Sequence, residues 1–200
     1  MKIAVYGSSG MVGSRVAAEA VARGHDVVGV TRSGGVSPDG VRAVTGSAND
    51  PVAAKELAAT VDVVVSAIGP AGGDPRDFVR AIETLITATV GTRLMVVGGA
   101  GSLLVNGRLL LDAPGFPEIY RPPALALAEV LDTLRATPPE VDWTLFSPAP
   151  EIAPGERTGI FTLGADEPVG THISAEDFAV ALIDELEHPV HRRRRFTIAY

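Results

Sequence analysis

The chain has 200 residues, 46% of them hydrophobic and 20% charged, a composition typical of one compact globular domain. Its net charge of −7 argues against a general nucleic-acid binder, since such a protein needs a basic face. The lack of cysteine excludes disulfides, thiolate metal sites and a cysteine nucleophile. No apolar run reaches the about 20 residues that span a bilayer, and no leader precedes the first apolar strand. We therefore expect a cytoplasmic protein that binds neither nucleic acid nor membrane.

The first half of the chain alternates between predicted strands and predicted helices. A β-rich run, Lys2–Gly7, comes before a helix with apolar residues at helical spacing, which Gly24 ends. Asn49 or Asp50 before Pro51 marks another helix start, because the first side chain caps the helix and proline suits its first turn. Strands are also predicted over 26–32, 41–46, 61–69 and 93–99, and a helix over 77–89. This alternation predicts a parallel sheet with right-handed crossovers.

The second half has long irregular stretches between fewer elements. Connections that contain glycine and proline run over 98–102 and 106–120, and a further such stretch over 149–170 is predicted to hold a short hairpin. Ser174-x-x-Asp177 resembles a capping box before a helix over 175–187. A helix over 123–135, a strand over 142–148 and a final strand over 195–200 complete the pattern. We predict one Rossmann-like α/β domain over 1–200, a doubly wound parallel sheet with 100–122 and 149–173 as substrate-side loops.

Three glycines, Gly7, Gly10 and Gly13, are spaced three residues apart between the first strand and the first helix. The first suits a tight turn, the second lets the backbone approach a pyrophosphate, and the third lets the helix pack on the strand. The start of the helix supplies N–H groups and a positive dipole end to an anion. Ser8 and Ser9 add hydroxyl donors. At this position in an alternating chain, the motif predicts a dinucleotide-binding loop.

The end of the second predicted strand favours NADP(H) over NAD(H). An NAD site usually carries an acidic residue there, which accepts hydrogen bonds from the ribose 2′-hydroxyl. Here the strand ends Thr31-Arg32-Ser33, and the nearby acid, Asp26, lies at its other end. Arg32 could pair with a 2′-phosphate, while Ser33 and Thr31 could donate hydrogen bonds to it. The alternative is an arginine that is simply solvated.

The carboxyl ends of strands four to six are the expected place for the nicotinamide. The segments there are 66–70, 98–102 and 147–151. Short-chain dehydrogenases that reduce carbonyls use Tyr-x-x-x-Lys, but Tyr120 is followed by Arg-Pro-Pro-Ala, and neither Lys2 nor Lys55 is placed to substitute. The missing lysine argues against alcohol or ketone chemistry and against a sugar-nucleotide epimerase or dehydratase.

Two residues are predicted to act on the substrate side. Ser102 is expected to orient the nicotinamide or the acceptor, and Tyr120 is expected to line the acceptor site. The alternatives are a loop hydroxyl bonded to local backbone for Ser102 and a buried packing role for Tyr120. Two weaker candidates are His172, for which a loop histidine without a catalytic role is the favoured interpretation, and Glu151, whose alternative role is to bond backbone in its loop.

Five stretches together resemble one family: GSSGMVG, VVSAIGP, VVGGAGSL, SPAPEIAPGERTG and the block from Ile173 to Tyr200. They are similar to the NADH-flavin-reductase-like proteins, atypical short-chain dehydrogenase/reductase relatives near the NmrA-like group and the biliverdin-IXβ reductase/flavin reductases. The resemblance covers almost the whole chain. It implies a Rossmann fold, NAD(P) binding and hydride transfer to a flavin or a similar planar acceptor.

The resemblance also implies positions for the cofactor. One departure concerns Ser47, which stands where relatives often have aspartate, so the adenine contact is expected to be weaker. The implied contacts are Gly7, Ser8, Ser9, Gly10, Met11 and Val12 with the pyrophosphate, Arg32 and Ser33 with the 2′-phosphate, Ala67, Ile68, Gly69 and Pro70 with the ribose, and Pro148 and Ala149 with the carboxamide.

These observations predict an NADPH-dependent oxidoreductase that transfers a hydride to a flavin or a similar planar acceptor. The alternative is a non-catalytic sensor of the NmrA-like type, which binds NADP(H) and passes the redox state to a partner. No metal is predicted, because the four histidines are scattered without ligand spacing. The run Arg192–Arg195 is interpreted either as a phosphate-binding run or, preferably, as a solvated turn. The oligomeric state, monomer or dimer, is left open.

Overall fold

The computed structural model describes residues 1–70 and 74–200. Its helices are α1 Met11–Ala22, α2 Pro51–Ala58, α3 Pro75–Ala88, α4 Arg121–Arg135 and α5 Ala175–Glu187. Its strands are β1 Lys2–Tyr6, β2 Asp26–Thr31, β3 Arg42–Thr45, β4 Val63–Ser66, β5 Arg93–Val97, β6 Leu104–Val105, β7 Arg108–Leu109, β8 Trp143–Ser147, β9 Glu151–Ala153, β10 Thr162–Gly164, β11 His172–Ser174 and β12 Arg194–Ala199. Three 3₁₀ turns lie at Ala100–Ser102, Leu110–Asp112 and Glu118–Tyr120.

The central sheet has eight strands in the order β3-β2-β1-β4-β5-β8-β12-β10. Every neighbouring pair is parallel except β10 and β12, which are antiparallel. The predicted doubly wound α/β fold is therefore confirmed. The strand order reverses between β1 and β4, and a crevice at that point of the carboxyl edge is where such sheets bind their ligands.

Alternating residues of the inner strands pack into two apolar layers, one on each face of the sheet. In β4, Val64 joins the cluster under α2, α3 and α4, whereas Val63 and Val65 join the cluster under α1 and α5. In the second cluster, the ring of Phe146 stacks between Phe178 at 4.2 Å and Phe196 at 3.9 Å. A strand buried on both faces explains why 61–69 reads as an unbroken apolar run.

Helix starts differ in a way that matters for the site. Asp50 caps α2 and Asp74 caps α3 through side-chain oxygens, as proline in the first turn indicates. Ser174 caps α5 by accepting the N–H of Asp177 at 2.9 Å. The reciprocal half of the predicted capping box is absent among the described contacts, because the Asp177 carboxylate bonds Thr158 and the N–H of Gly159 instead. Helix α1 begins at Gly10 with no side-chain cap.

The hairpin predicted within 149–170 is wrong. Strand β9 pairs in parallel with β11, and β10 joins the edge of the central sheet beside β12. The hairpin is instead β6–β7, which turns at Asn106 and Gly107 with φ of 53° and 77°. An Asn-Gly pair between two β-rich runs is a strong hairpin signal, and it could have located the hairpin β6–β7 from sequence.

The run Arg192–Arg195 is partly the solvated turn that the sequence favours, since Arg192 and Arg193 form a turn and both Arg192 and Arg194 are exposed. Arg193 donates to the main-chain carbonyls of Thr137 and Val141, and Arg192 pairs with Asp142. Arg195 is buried inside β12. These arginines therefore hold neighbouring connections together.

In the part of the chain that the structure describes, no helix is long and apolar enough to cross a membrane, and no group of acidic or histidine side chains could hold a metal.

Candidate cofactor-binding site

The glycine loop, residues 7–13, packs more tightly than any side chain would allow at two positions. Gly7 has a φ of +82°, and a Cβ on it would lie 2.7 Å from the carbonyl oxygen of Ala67. A Cβ on Gly13 would lie 2.1 Å from the carbonyl oxygen of Gly7. Gly10 is less restricted, with 3.3 Å to that same oxygen. The loop, the start of α1 and the segment after β4 therefore pack as one unit, in which Gly7 makes the turn and Gly13 permits the close approach.

The start of α1 presents N–H groups that nothing in the described residues accepts. Gly10 N–H bonds the carbonyl of Gly7, and Ser14 N–H bonds that of Gly10. The amides of Met11, Val12 and Gly13 lie between these and have no acceptor in the described ranges, and no acidic residue lies in the first turn. Free amides at a positive dipole end form an anion site. The residues present therefore fit the pyrophosphate of a dinucleotide.

Ser8 and Ser9 point to different places. Ser8 is fully buried, and its Oγ has no hydrogen-bond partner in the described structure. This oxygen lies against Gly29 of β2, since a Cβ on Gly29 would lie 2.6 Å from it. Ser9 is exposed on the outer side of the loop. Of the two predicted hydroxyl donors, Ser9 is the one placed on an open surface.

The segment after β2 lies against the glycine loop. A Cβ on Gly35 would lie 2.9 Å from the Cβ of Ser9. Thr31 is buried, and its hydroxyl accepts the N–H of Gly35 at 3.1 Å, so Thr31 holds this segment rather than facing outward. Arg32 and Ser33 are exposed beside it. Arg32 forms no ion pair or hydrogen bond within the described chain, so its guanidinium is available at this edge.

The predicted ribose and carboxamide contacts lie along the same edge. Ala67 donates its N–H to Tyr6 at 2.9 Å and borders both Gly7 and Gly13. Pro148 and Ala149 are buried directly after β8. Ile68, Gly69 and Pro70 continue from Ala67 up to the end of the described range. Their contacts with a cofactor stay predictions.

Two further serines end strands at this edge with hydroxyls that are buried and unpartnered. Ser66 is the last residue of β4 and Ser147 the last residue of β8, and both are fully buried. Neither Oγ has a hydrogen-bond partner among the described atoms. Both lie within segments predicted to face the nicotinamide. Buried hydroxyls without protein partners at this edge could bond a polar group bound there.

Ser47, which the resemblance links to the adenine, and the phenol of Tyr6 both have structural surroundings. The Ser47 hydroxyl accepts the N–H of Asn49 at 3.1 Å, which supports the turn into α2. Burial raises the pKa of the Tyr6 phenol, and the nearby charge of Asp50 raises it further. Tyr6 is therefore a neutral core side chain, as its position in β1 predicts.

The two predicted substrate-side residues have opposite surroundings. Ser102 is 2% exposed, and its hydroxyl lies 3.4 Å from the carbonyl of Gly99 and 3.2 Å from Nη1 of Arg195. The described contacts of Ser102 are thus internal, and its proposed effect on a ligand stays a prediction. Tyr120 is 61% exposed at the start of α4, beside Ile119 at 78%. The buried packing role considered for Tyr120 does not apply.

Sequence reasoning missed the ion pair between Arg195 and Asp166, which joins β12 to the substrate-side loop 149–173. The local signal was an arginine within an otherwise apolar strand, R-F-T-I-A. Nothing in the pattern indicated which distant residues it would contact.

Comparison with known proteins agrees with this geometry. Residues 7–189 match the family model for NAD(P)H-binding proteins, and the chain belongs to that family. An uncharacterised protein, YwnB of Bacillus subtilis, is 37% identical over 99% of this chain and 98% of its own length. SP1627 of Streptococcus pneumoniae, a candidate NADH-flavin reductase with a crystal structure, is 34% identical in sequence to this chain. The match covers 99% of this chain and 98% of that one, with a TM-score of 0.89. A candidate exported protein from Burkholderia pseudomallei is 40% identical over the full length of both chains, with a TM-score of 0.91.

Proposed function

We propose that this protein is an NADPH-dependent reductase that transfers a hydride to a flavin or a similar planar acceptor. Its membership of the NAD(P)H-binding family and the name of its Streptococcus pneumoniae relative support a nicotinamide-dependent reductase. The observation that carries the proposal is the open amide cradle at α1, together with the exposed Arg32, which has no ion pair or hydrogen bond among the described residues. Together these groups suit a dinucleotide that carries a phosphate on the adenosine ribose.

Each part of the edge would hold one part of the cofactor. The amides of Met11 and Val12 would bind the pyrophosphate, and Arg32 with Ser33 would bind the 2′-phosphate. The segments after β4 and β8 would hold the nicotinamide ring at the carboxyl edge of the sheet. When bound, NADPH supplies a hydride from its dihydronicotinamide ring.

The chain's own contribution to the reaction would be orientation rather than acid–base chemistry. A flavin accepts the hydride at N5 and can take its remaining proton from solvent, so no tyrosine–lysine pair is required. Tyr120 and Ile119 expose apolar surface at the start of α4, against which a planar ring could stack. A reaction that needs no proton donor from the protein is compatible with this site, where the hydroxyl of Ser102 bonds Arg195 inside the fold.

The second candidate is a non-catalytic sensor of the NmrA-like type that binds NADP(H). The observation in its favour is the same absence of Tyr-x-x-x-Lys at Tyr120, together with the internal hydrogen bonds of Ser102. A cytoplasmic location and the monomeric or dimeric state stay predictions.

The two candidates are separated by one assay with a binding control. NADPH binding is measured by calorimetry on apo protein, and NADPH oxidation is followed at the absorbance of the reduced ring with FMN, FAD or riboflavin. Turnover that depends on the added flavin supports the reductase. Binding without turnover supports the sensor, and no binding of either oxidised or reduced cofactor contradicts both.

A further inference from the structure

An arginine inside the last strand joins two loops that are distant in sequence. Arg195 is 5% exposed, and its Nη1 donates to the main-chain carbonyl and to the hydroxyl oxygen of Ser102. Its Nε donates to Oδ1 of Asp166 at 2.9 Å, and Nη2 bonds the same carboxylate. The main-chain carbonyl of Asp166 accepts the N–H of Leu104 at 2.8 Å. The loops 100–122 and 149–173 are therefore connected by the guanidinium of Arg195 and by one main-chain hydrogen bond.

We propose that Arg195 is a positioning residue for the acceptor site, acting through Ser102 and Asp166. The inference rests on the proposed reductase function, whose acceptor would lie against these loops. We call Arg195, Ser102 and Asp166 the arginine clamp. None of the three is proposed to touch the reacting atoms.

The clamp is mechanically linked to the acceptor side through the turn at 100–102. This turn follows β5, which pairs with β4 in the central sheet, and it packs under α4, where a Cβ on Gly101 would lie 2.7 Å from the Cβ of Ala124. Helix α4 begins directly after Tyr120. A displacement of Ser102 would therefore shift the turn, the first residues of α4 and the exposed phenol in front of them.

Fold stability alone gives little reason for a guanidinium here. Strand β12 is already paired on both sides, with β8 over four residues and with β10 over three. Removing an arginine from water is costly, and an apolar side chain in such a place is often equally stable. The guanidinium instead supplies donors in fixed directions, which set the distance and angle between the parts they bind. That property is useful where two loops must form one wall.

The test compares Arg195→Met with Arg193→Met. Arg193 is the matched control, because its guanidinium also binds main-chain carbonyls, but those of Thr137 and Val141, which lie in neither of the two loops. Amide hydrogen exchange is measured for every segment, along with the Kd for NADPH and the kcat and KM for FMN. Arg195→Lys is included as the conservative variant.

We expect Arg195→Met to speed exchange in 102–112 by about tenfold. The KM for FMN should rise by about fivefold while the Kd for NADPH stays within about twofold of wild type. Arg195→Lys should recover part of the loss, since an ammonium group can still donate to the Ser102 carbonyl. Arg193→Met should leave exchange in 102–112 and the KM for FMN unchanged.

Three results would overturn the inference. They are unchanged exchange in 102–112 for Arg195→Met, faster exchange without any change in the KM for FMN, and equal effects from the two methionine variants. Wild-type protein that binds NADPH but does not reduce FMN contradicts the acceptor class of the proposed function instead. In that case the exchange comparison alone decides whether Arg195 holds the loops.

Discussion

At the scale of single residues, the proposed preference for NADPH over NADH depends on Arg32. Its guanidinium is exposed, is unpaired within the described chain, and lies where an NAD site would carry a carboxylate. Arg32→Ala should weaken NADPH binding by about ten- to hundredfold, the value of hydrogen bonds to a charged group, while NADH binding changes little. Calorimetry with both coenzymes measures the difference.

Arg42→Ala is the control for this experiment, because Arg42 is also exposed but begins β3 at the opposite edge of the sheet. It should bind both coenzymes as wild type does. Equal losses of NADPH and NADH affinity in Arg32→Ala would contradict the assignment of a 2′-phosphate site.

Ser102 and Tyr120 show what sequence reasoning can and cannot do for single side chains. Both were selected because they lie in loops that follow or precede elements at the carboxyl edge. The structure turns Ser102 inward onto Arg195 and leaves Tyr120 exposed. Loop position is readable from the chain, but the direction of a side chain depends on which distant residue fills the space beside it.

At the scale of elements, the contact between the glycine loop and α1 separates two glycines that look alike in sequence. Gly13→Ala places a methyl group 2.1 Å from the carbonyl oxygen of Gly7, so α1 must move away from the loop. We expect NADPH affinity to fall by more than about tenfold and the free energy of unfolding to fall by about 2 kcal/mol. Calorimetry and urea unfolding measure these changes.

Gly10→Ala is the comparison, since its Cβ meets that same carbonyl oxygen only at 3.3 Å. Its effect on the free energy of unfolding should be below about 1 kcal/mol. A Gly13→Ala variant as stable and as tightly binding as Gly10→Ala would contradict the described packing of α1.

A second contact at this scale attaches the segment around 158 to α5. The buried carboxylate of Asp177 accepts the N–H groups of Thr158 and Gly159, both at 2.8 Å, and the hydroxyl of Tyr200 at 2.7 Å. Burial by itself raises the pKa of Asp177, but these hydrogen bonds outweigh it and the pKa lies below its usual value. The contribution to stability is therefore present above the unfolded pKa of about 3.9 and is lost as the pH falls through the lower folded value.

Asp177→Ala should lower the free energy of unfolding by about 3 kcal/mol at neutral pH, because buried donors lose a charged acceptor. Asp177→Asn should cost less and should weaken the decline of stability below about pH 4. Urea unfolding at a series of pH values measures both effects. Asp39→Ala, which removes an exposed carboxylate, should change stability by less than about 0.5 kcal/mol.

At the scale of the whole molecule, one buried ion pair connects the central sheet with the α5 layer. Arg93 at the start of β5 donates to Glu185 of α5 at 2.7 Å, and both side chains are almost fully buried. Glu185 also accepts the N–H groups of Val190 and His191. Burial raises the pKa of Glu185, but the hydrogen bonds from His191, Val190 and Arg93 together lower it below its usual value.

Glu185→Gln should lower the free energy of unfolding by about 3–5 kcal/mol, because it leaves the Arg93 charge buried without its counter-ion. Adding Arg93→Met to that variant should recover part of the loss, which denaturant unfolding of the single and double variants would reveal. Glu83→Gln, on the exposed face of α3, should have little effect. Additive losses in the double variant would show that the two side chains are not coupled.

Much of the architecture was predictable because it is encoded locally. The alternation of apolar strands and helices, the Asp50-Pro51 helix start and the glycine spacing all act between residues close in the chain. These patterns correctly predicted a parallel sheet and its first crossover. They also placed the cofactor loop at the carboxyl edge, since parallel strands all end on that side.

The sequence by itself therefore determined the fold class and the position of the glycine loop at the carboxyl edge of the sheet. Tertiary structure alone decided that β9 pairs with β11, that β10 joins β12, and that Arg195 meets Ser102 and Asp166. The physical reason is the range of the interactions. Short strands and buried charges select their partners by the space and the unpaired groups that distant segments leave, and a linear pattern carries no record of that space.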